Sequence, residues 1–262
     1  MRVLIASKRA PNRPGRRNGG VQTWVATIAA ELRKLGHEVA IADALIRPEG
    51  RFDIGILNNW AHVAQYAGQC DRWLAVCHGI VPDEQPPEGR VAYTSEGVKR
   101  HWGGSGPVIR QPLDLSFWTP HAAPKRRLLR YSPRGGLAYL PDVSRELGLR
   151  YTHLRQASHE QARQAMRESA CVLATGRAAL EAMACGVPVL ICDDRPYQGP
   201  LVSFAPAAQM LENYSGRGGL VATRENVEAG IHEAMRAGSL RRHVETHHCA
   251  RKVTEALLSC IA

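Results

Sequence analysis

The chain has 262 residues, 44% of them hydrophobic, with 34 Lys and Arg against 24 Asp and Glu and a formal net charge of +10. This composition is ordinary for a folded globular protein and the length suits two domains, while no window approaches the run of about eighteen apolar residues needed to cross a bilayer. The opening MRVLIASKRAPNRPGRR is too short in its apolar part for a signal peptide, so the cytoplasm is the expected location.

The 7 cysteines are odd in number, scattered and without CxxC or Cys/His ligand spacing, which reads as reduced thiols. Lysine is confined to Lys8, Lys34, Lys99, Lys125 and Lys252, so arginine carries the positive charge. Such a skew fits an anionic partner or a GC-rich coding sequence, and neither basic run, KRAPNRPGRR or KRRLLR, has the interleaved aromatics of a groove for single-stranded nucleic acid.

In chain order, Arg2–Ala6 reads as a strand, followed by a Gly/Pro/Arg loop. A helix over 20–35 places Val21, Trp24, Val25, Ile28 and Leu32 on one apolar face and stops at Gly36. EVAIAD, DIGILN, RWLAVC, RVAYT and PVIRQ read as further strands, with helices between the third and fourth strands and after Ser95, a βαβ pattern that implies a parallel sheet. Residues 114–125 turn rich in proline and turn formers, and the domain reading is 1–115, a linker over 116–125, and 126–262.

The pattern then restarts. RLLRYS and YTHLR are strands, Ser158 and Gln161 form a capping box, ACVLAT is a strand, 176–184 a helix, VPVLIC and GGLVAT strands. Thr223 opens a helix to about Ala237, and a last helix from about Leu240 is placed to pack back on the N-terminal domain. No internal repeat is evident. The fold class is therefore α/β, two Rossmann-like domains with a cleft between them as the natural ligand site.

Three features carry chemistry. Gly19 and Gly20 lie where the first strand meets the first helix, a position whose free amides suit a phosphate, although the loop is neither GxGxxG nor a Walker motif. Glu181 sits late in the helix TGRAALEAMACG, where a carboxylate opposes the helix dipole and needs compensation, with Arg177 four residues before it. The carboxylate type also suits a ribose diol. Asp193-Asp194 is not a DxD, and adjacent His247 and His248 lack the spacing for one helix face, so no metal site is expected.

GRAALEAMACGVPVL resembles the C-terminal-domain signature of retaining glycosyltransferases of the GT-B fold, family 4 type. GGVQTWVATIAAELRKLGHEV, CHG at 77–79 and TSEGVKRHW…PVIRQPLDLSFWTP are similar to further family segments in the same order, so the likeness spans most of a compact chain. It implies a metal-independent hexosyl or other glycosyltransferase that moves a sugar from a UDP- or GDP-type donor to an acceptor hydroxyl, with no cofactor. Gly19 and Gly20 would face the donor diphosphate and sugar, His78 the donor sugar, Glu181 the ribose, and Arg134, with Arg130 less well placed, the leaving diphosphate. The family's earlier glutamate falls at Leu173, and Arg177 stands where it can supply cationic charge. The acceptor is a polysaccharide or lipid-linked glycan, with peripheral membrane contact, or a modified base of DNA. The alternative is a catalytically degenerate protein that binds a nucleotide or a partner.

Overall fold

The computed structural model describes residues 1–12, 19–58, 60–80, 85–121, 126–133, 135, 137–194, 197–202 and 206–261. The chain divides into two compact units, Met1–Pro112 with His247–Ala262, and Leu113–Thr246.

The first unit is built on a five-stranded sheet. Its strands are β1 (Arg2–Ala6), β2 (Glu38–Ala42), β3 (Phe52–Asn58), β4 (Cys70–Cys77) and β5 (Val91–Tyr93), in the order β2-β1-β3-β4-β5 and all parallel. Helices α1 (Gly20–Lys34), α2 (Trp60–Tyr66) and α3 (Glu96–His101) connect them.

Period-2 alternation sends Val3 and Ile5 to one face, with Ile54, Ile56, Leu74 and Val76 against Trp24, Ile28 and Leu32 of α1. Leu4, Ala6 and Leu57 face Tyr66 on the other side. Both faces are covered, which is why these strands read as continuous apolar runs. Helix α10 (Ala250–Ile261) adds Val253, Leu257 and Ile261, at spacing four, to the α1 side.

The second unit repeats this plan. β6 (Arg127–Tyr131), β7 (Arg150–Leu154), β8 (Ser169–Ala174), β9 (Val189–Ile191) and the short antiparallel β10 (Gly199–Pro200) lie in the order β10-β9-β8-β6-β7. Counted within its own unit, each sheet has the order 2-1-3-4-5. Leu129, Val172, Val189 and Ile191 face α5 (His159–Arg167) and α6 (Arg177–Ala184). Leu128, Cys171, Leu173 and Leu190 face α4 (Leu140–Glu146) and α8 (Arg224–Ala237).

Several expectations change in detail. The unit boundary falls at Pro112–Leu113 rather than within 116–125, because Leu113 and Trp118 are buried in the second unit's core. PVIRQ forms only a bridge from Val108 to Tyr93, since the flanking Pro107 and Pro112 have no amide to extend a ladder. GGLVAT contributes a single bridge, Leu220 to Tyr197, and leaves Leu220 and Val221 exposed, so the antiparallel edge strand is Gly199–Pro200. The last helix is two, α9 (Arg241–His247) and α10, parted at His248, whose Nδ1 meets the Gln111 carbonyl 2.9 Å away. None of the seven cysteines is in a disulfide.

Candidate functional site

In a sheet of this order, the connections after β1 and β3 leave on opposite faces, and the chain opens a crevice beyond the carboxyl ends of those strands. In the first unit that edge carries a buried carboxylate after β2, where Asp43 accepts from the amides of Ala10, Leu45 and Ile46, and it is polar but neutral where β3 and β4 end. Asn58 ends β3 and is wholly buried; its amide donates to the Ala6 carbonyl at 2.8 Å. Its other end lies 2.7 Å from Nε2 of His78, the residue after β4. The imidazole stands edge-on to Trp24 of α1, 5.1 Å between centroids at 84°, and Thr94 Oγ1 donates to the His78 carbonyl at 3.2 Å.

The His78 ring is half-buried by exposed area but densely surrounded, and its Nδ1 is covered with no partner among the described residues. Desolvation lowers its pKa from 6.5 to about 3, because a second ring proton would have no acceptor.

Gly19 caps α1, and its amide donates to Gln22 Oε1 at 3.0 Å, so the side chain of the helix's third residue already satisfies one of the free amides expected there. A Cβ built on Gly20 meets nothing within 4 Å among the described residues.

The second unit presents charge at the corresponding edge. Gly176, with φ at +58°, turns the chain from β8 into α6. One turn on, Glu181 is only 4% exposed, and its Oε1 accepts from Arg177 Nε at 3.0 Å. This i,i+4 pair is the compensation that the carboxylate's position demands. Desolvation still outweighs the guanidinium and raises the Glu181 pKa to about 6; burial likewise lowers that of Arg177. No polar partner of the carboxylate other than Arg177 occurs among the described residues. The Arg177 guanidinium, the cationic charge the sequence places on this helix, has its Nε engaged by Glu181.

On the opposite face, Arg130 is fully buried at the end of β6 and donates from Nη2 to Asp193 Oδ1 at 3.2 Å. Ser132 Oγ donates to the same oxygen at 3.0 Å, and Asp194 N does so at 2.7 Å. Burial alone would raise the Asp193 carboxyl, but the hydrogen bonds to Asp194 and Ser132 and the nearby guanidinium leave it below its ordinary value. Nε and Nη1 of Arg130 have no partner of hydrogen-bond geometry among the described residues, although the Tyr151 phenol lies close enough to feel the charge. His153 Nε2 stands 3.1 Å from the Ser132 carbonyl.

Arg134 lies outside the described residues. Leu173 is buried apolar surface in the α4 and α8 face. Among the described residues no group of three His, Cys, Asp or Glu side chains could hold a metal ion. No helix among them is long and apolar enough to cross a membrane.

Sequence reasoning did not single out Asn58, or the Arg130–Asp193 pair as a unit. The available signal was a polar residue closing an apolar strand, as Asn58 does in DIGILN and Asp193 does after VPVLIC.

No protein-family model and no curated protein matches the chain. Among solved structures, it is similar to AviGT4, a glycosyltransferase involved in avilamycin A biosynthesis, with a TM-score of 0.66 and 15% identity over 99% of this chain and 96% of that one. It also aligns with the glycosyltransferase SnogD from Streptomyces nogalater over 99% of both chains, at 14% identity and a TM-score of 0.45. The strand orders of the two units and the likeness to AviGT4 together give this chain a glycosyltransferase-like fold of two parallel-sheet α/β units.

Proposed function

We propose that the protein is a retaining, metal-independent glycosyltransferase that takes a UDP- or GDP-sugar as donor, the nucleotide being held at the carboxyl edge of the second unit's sheet. The observation that carries this reading is Glu181: a carboxylate 4% exposed, held by Arg177 on a helix that begins where β8 ends. Burying a charge costs free energy, and the side chain persists there with one oxygen engaged by Arg177. A ribose diol is a ligand of the right chemistry, since two vicinal hydroxyls donate to one carboxylate. Arg134 is the proposed cation at the leaving diphosphate, and Gly19 and Gly20 the backbone that approaches the donor. The acceptor in this reading is a glycan or lipid-linked glycan hydroxyl, DNA being the alternative that steep salt dependence of duplex binding would reveal.

Thermal unfolding with UDP, GDP, ADP and dTDP tests the reading. A nucleotide present at one hundred times its Kd adds about 2.7 kcal/mol of stability. UDP or GDP is expected to raise the melting temperature of the wild type, and Glu181→Ala to abolish that shift while remaining folded. Failure of every nucleotide to stabilise the wild type would overturn it.

A second reading, nucleotide binding without turnover, is favoured by Leu173, which leaves an apolar side chain where the resembling family carries a glutamate. Release of sugar from a panel of UDP-, GDP- and ADP-sugars separates the two, because a binding protein shows affinity and no turnover.

A further inference from the structure

We propose that Asn58 is a positioning residue that locks His78 in its Nε2-protonated tautomer, so that the covered Nδ1 lone pair stands as a constant acceptor for a hydroxyl proton of the sugar substrate. The substrate part of this proposal rests on the transferase reading; the tautomer stands on geometry alone.

The hydrogen bonds fix the assignment. The Ala6 carbonyl can only accept, so the end of the Asn58 amide 2.8 Å from it is the NH2. Its carbonyl oxygen then faces the imidazole nitrogen at 2.7 Å, and two acceptors cannot share that distance. Nε2 must carry the proton, which leaves Nδ1 as an unprotonated acceptor. Asn58 cannot rotate to reverse the pattern without setting its oxygen against the Ala6 carbonyl, inside a site where both residues are fully buried.

The surroundings keep the ring neutral. Packed against it are Trp24 from α1, Asn58 from β3 and the Thr94 hydroxyl at its carbonyl, none of them charged. Burial is the sole cause that moves its pKa, and it moves it down. A proton added at Nδ1 would find no acceptor among the described residues. The ring is therefore held as an acceptor across the range from weakly acid to weakly basic, and it does not act as an acid in that range. A ligand that completes the site brings an O–H or N–H to Nδ1; a pyranose hydroxyl is the chemistry that the transferase reading supplies.

Nitrogen-15 NMR of the full chain from pH 5 to 8 tests the assignment directly, with His78→Gln identifying the ring's signals. The expected result is a pyrrole-type Nε2 and a pyridine-type Nδ1, unchanged over that range. Asn58→Ala is expected to populate both tautomers. Asn58→Asp sets one carboxyl oxygen against the Ala6 carbonyl, so it is expected to hold a proton there, to keep its other oxygen on Nε2 and to retain the wild-type tautomer.

In the functional arm, sugar release from UDP-glucose or GDP-mannose should fall about tenfold in kcat/KM in Asn58→Ala, the scale of one lost hydrogen bond. Asn58→Asp, which can still hold the ring through a protonated carboxyl, should lose less than Asn58→Ala. A wild-type His78 protonated on Nδ1, or titrating between pH 5 and 8, overturns the proposal, as does a single unchanged tautomer in Asn58→Ala. If neither donor is turned over, the transferase reading fails, and the NMR result still decides the role of Asn58.

Discussion

The two units share a strand order and differ in what they place at the carboxyl edges of their sheets. The first unit ends β3, β4 and β5 in neutral hydrogen-bonding groups, Asn58, His78 and Thr94, and holds the buried Asp43 carboxylate after β2 on backbone amides. The second places buried ion pairs there, Arg130 with Asp193 at the ends of β6 and β9, and Arg177 with Glu181 on the helix that follows β8. The same topology thus supports two electrostatic designs. A neutral group that loses its partner is left with the desolvation penalty of an unsatisfied dipole, about 1 to 3 kcal/mol, whereas a charged one left unpaired in a low dielectric exposes the larger penalty of the remaining ion. The first suits hydroxyl recognition and the second suits an anionic or polyhydroxyl ligand that completes the charge balance.

The largest expected effect follows from that asymmetry. Asp193→Ala leaves the Arg130 guanidinium buried without its carboxylate, and removing one member of a buried pair costs about 3 to 5 kcal/mol. Asn58→Ala, at the neutral end of β3, removes two buried hydrogen bonds and should cost about 1 to 3 kcal/mol. Urea unfolding followed by circular dichroism compares the two. Equal losses would mean that Arg130 reaches water or another acceptor when Asp193 is gone, and the contrast between the units would collapse.

A second difference lies in pH. Glu181 has its folded pKa raised from 4.5 to about 6, so between those values the folded state binds more protons than the unfolded one, and this group's contribution worsens as pH rises. The shift of 1.5 corresponds to about 2 kcal/mol, fully expressed above pH 6. His78 behaves oppositely: its folded pKa is lowered, so the unfolded state binds more protons between about 3 and 6.5, and its contribution to stability grows with pH across that window.

Glu181→Gln imitates the protonated carboxyl. It removes this group's pH dependence and leaves the Arg177 guanidinium without its carboxylate, so its stability relative to the wild type should rise between pH 4.5 and pH 7, while the stabilisation given by UDP or GDP is lost. A variant that becomes more stable as it loses its ligand would mark the carboxylate as kept for binding. An unchanged difference from the wild type at the two pH values would show that Arg177 fully compensates the charge.

Much of the scaffold is legible in the sequence because its signals are local. Alternation in Arg2–Ala6, the Trp24–Ile28–Leu32 stripe and the Ser158–Gln161 capping box each declare an element, and the structure has them at β1, α1 and α5. PVIRQ and GGLVAT have strand composition but lack partners along their length, and pairing is a tertiary property that periodicity does not encode. The repeated 2-1-3-4-5 order escapes the sequence for the same reason, since only the burial pattern of each strand is constrained, not its residues. At the site, Glu181 stands out because its charge contradicts its apolar helix. Asn58 does not, because an asparagine at a strand end is ordinary until the Ala6 carbonyl and the His78 ring are seen on either side of it.

The smallest expected effect concerns the glycines of the first unit's edge. Gly20 opens α1, has no positive φ, and a Cβ added there meets no atom of the described residues within 4 Å. Alanine is a better helix former and restricts the unfolded chain, so Gly20→Ala should stabilise the protein by about 0.5 to 1 kcal/mol if the glycine serves the fold alone. If the backbone at Gly20 approaches a donor diphosphate closely, the added methyl occupies the space the ligand needs, and the stabilisation by a nucleotide sugar shrinks while the ligand-free protein gains. Gly55→Ala supplies the contrast within the same unit: its Cβ would meet Cys70 Sγ at 2.6 Å, so overpacking should cost about 1 to 3 kcal/mol with or without ligand. Melting temperatures with and without UDP-glucose or GDP-mannose distinguish a glycine kept for a ligand from one kept for packing. An undiminished ligand shift in Gly20→Ala would remove that glycine from the site and leave the neutral edge to Asn58 and His78.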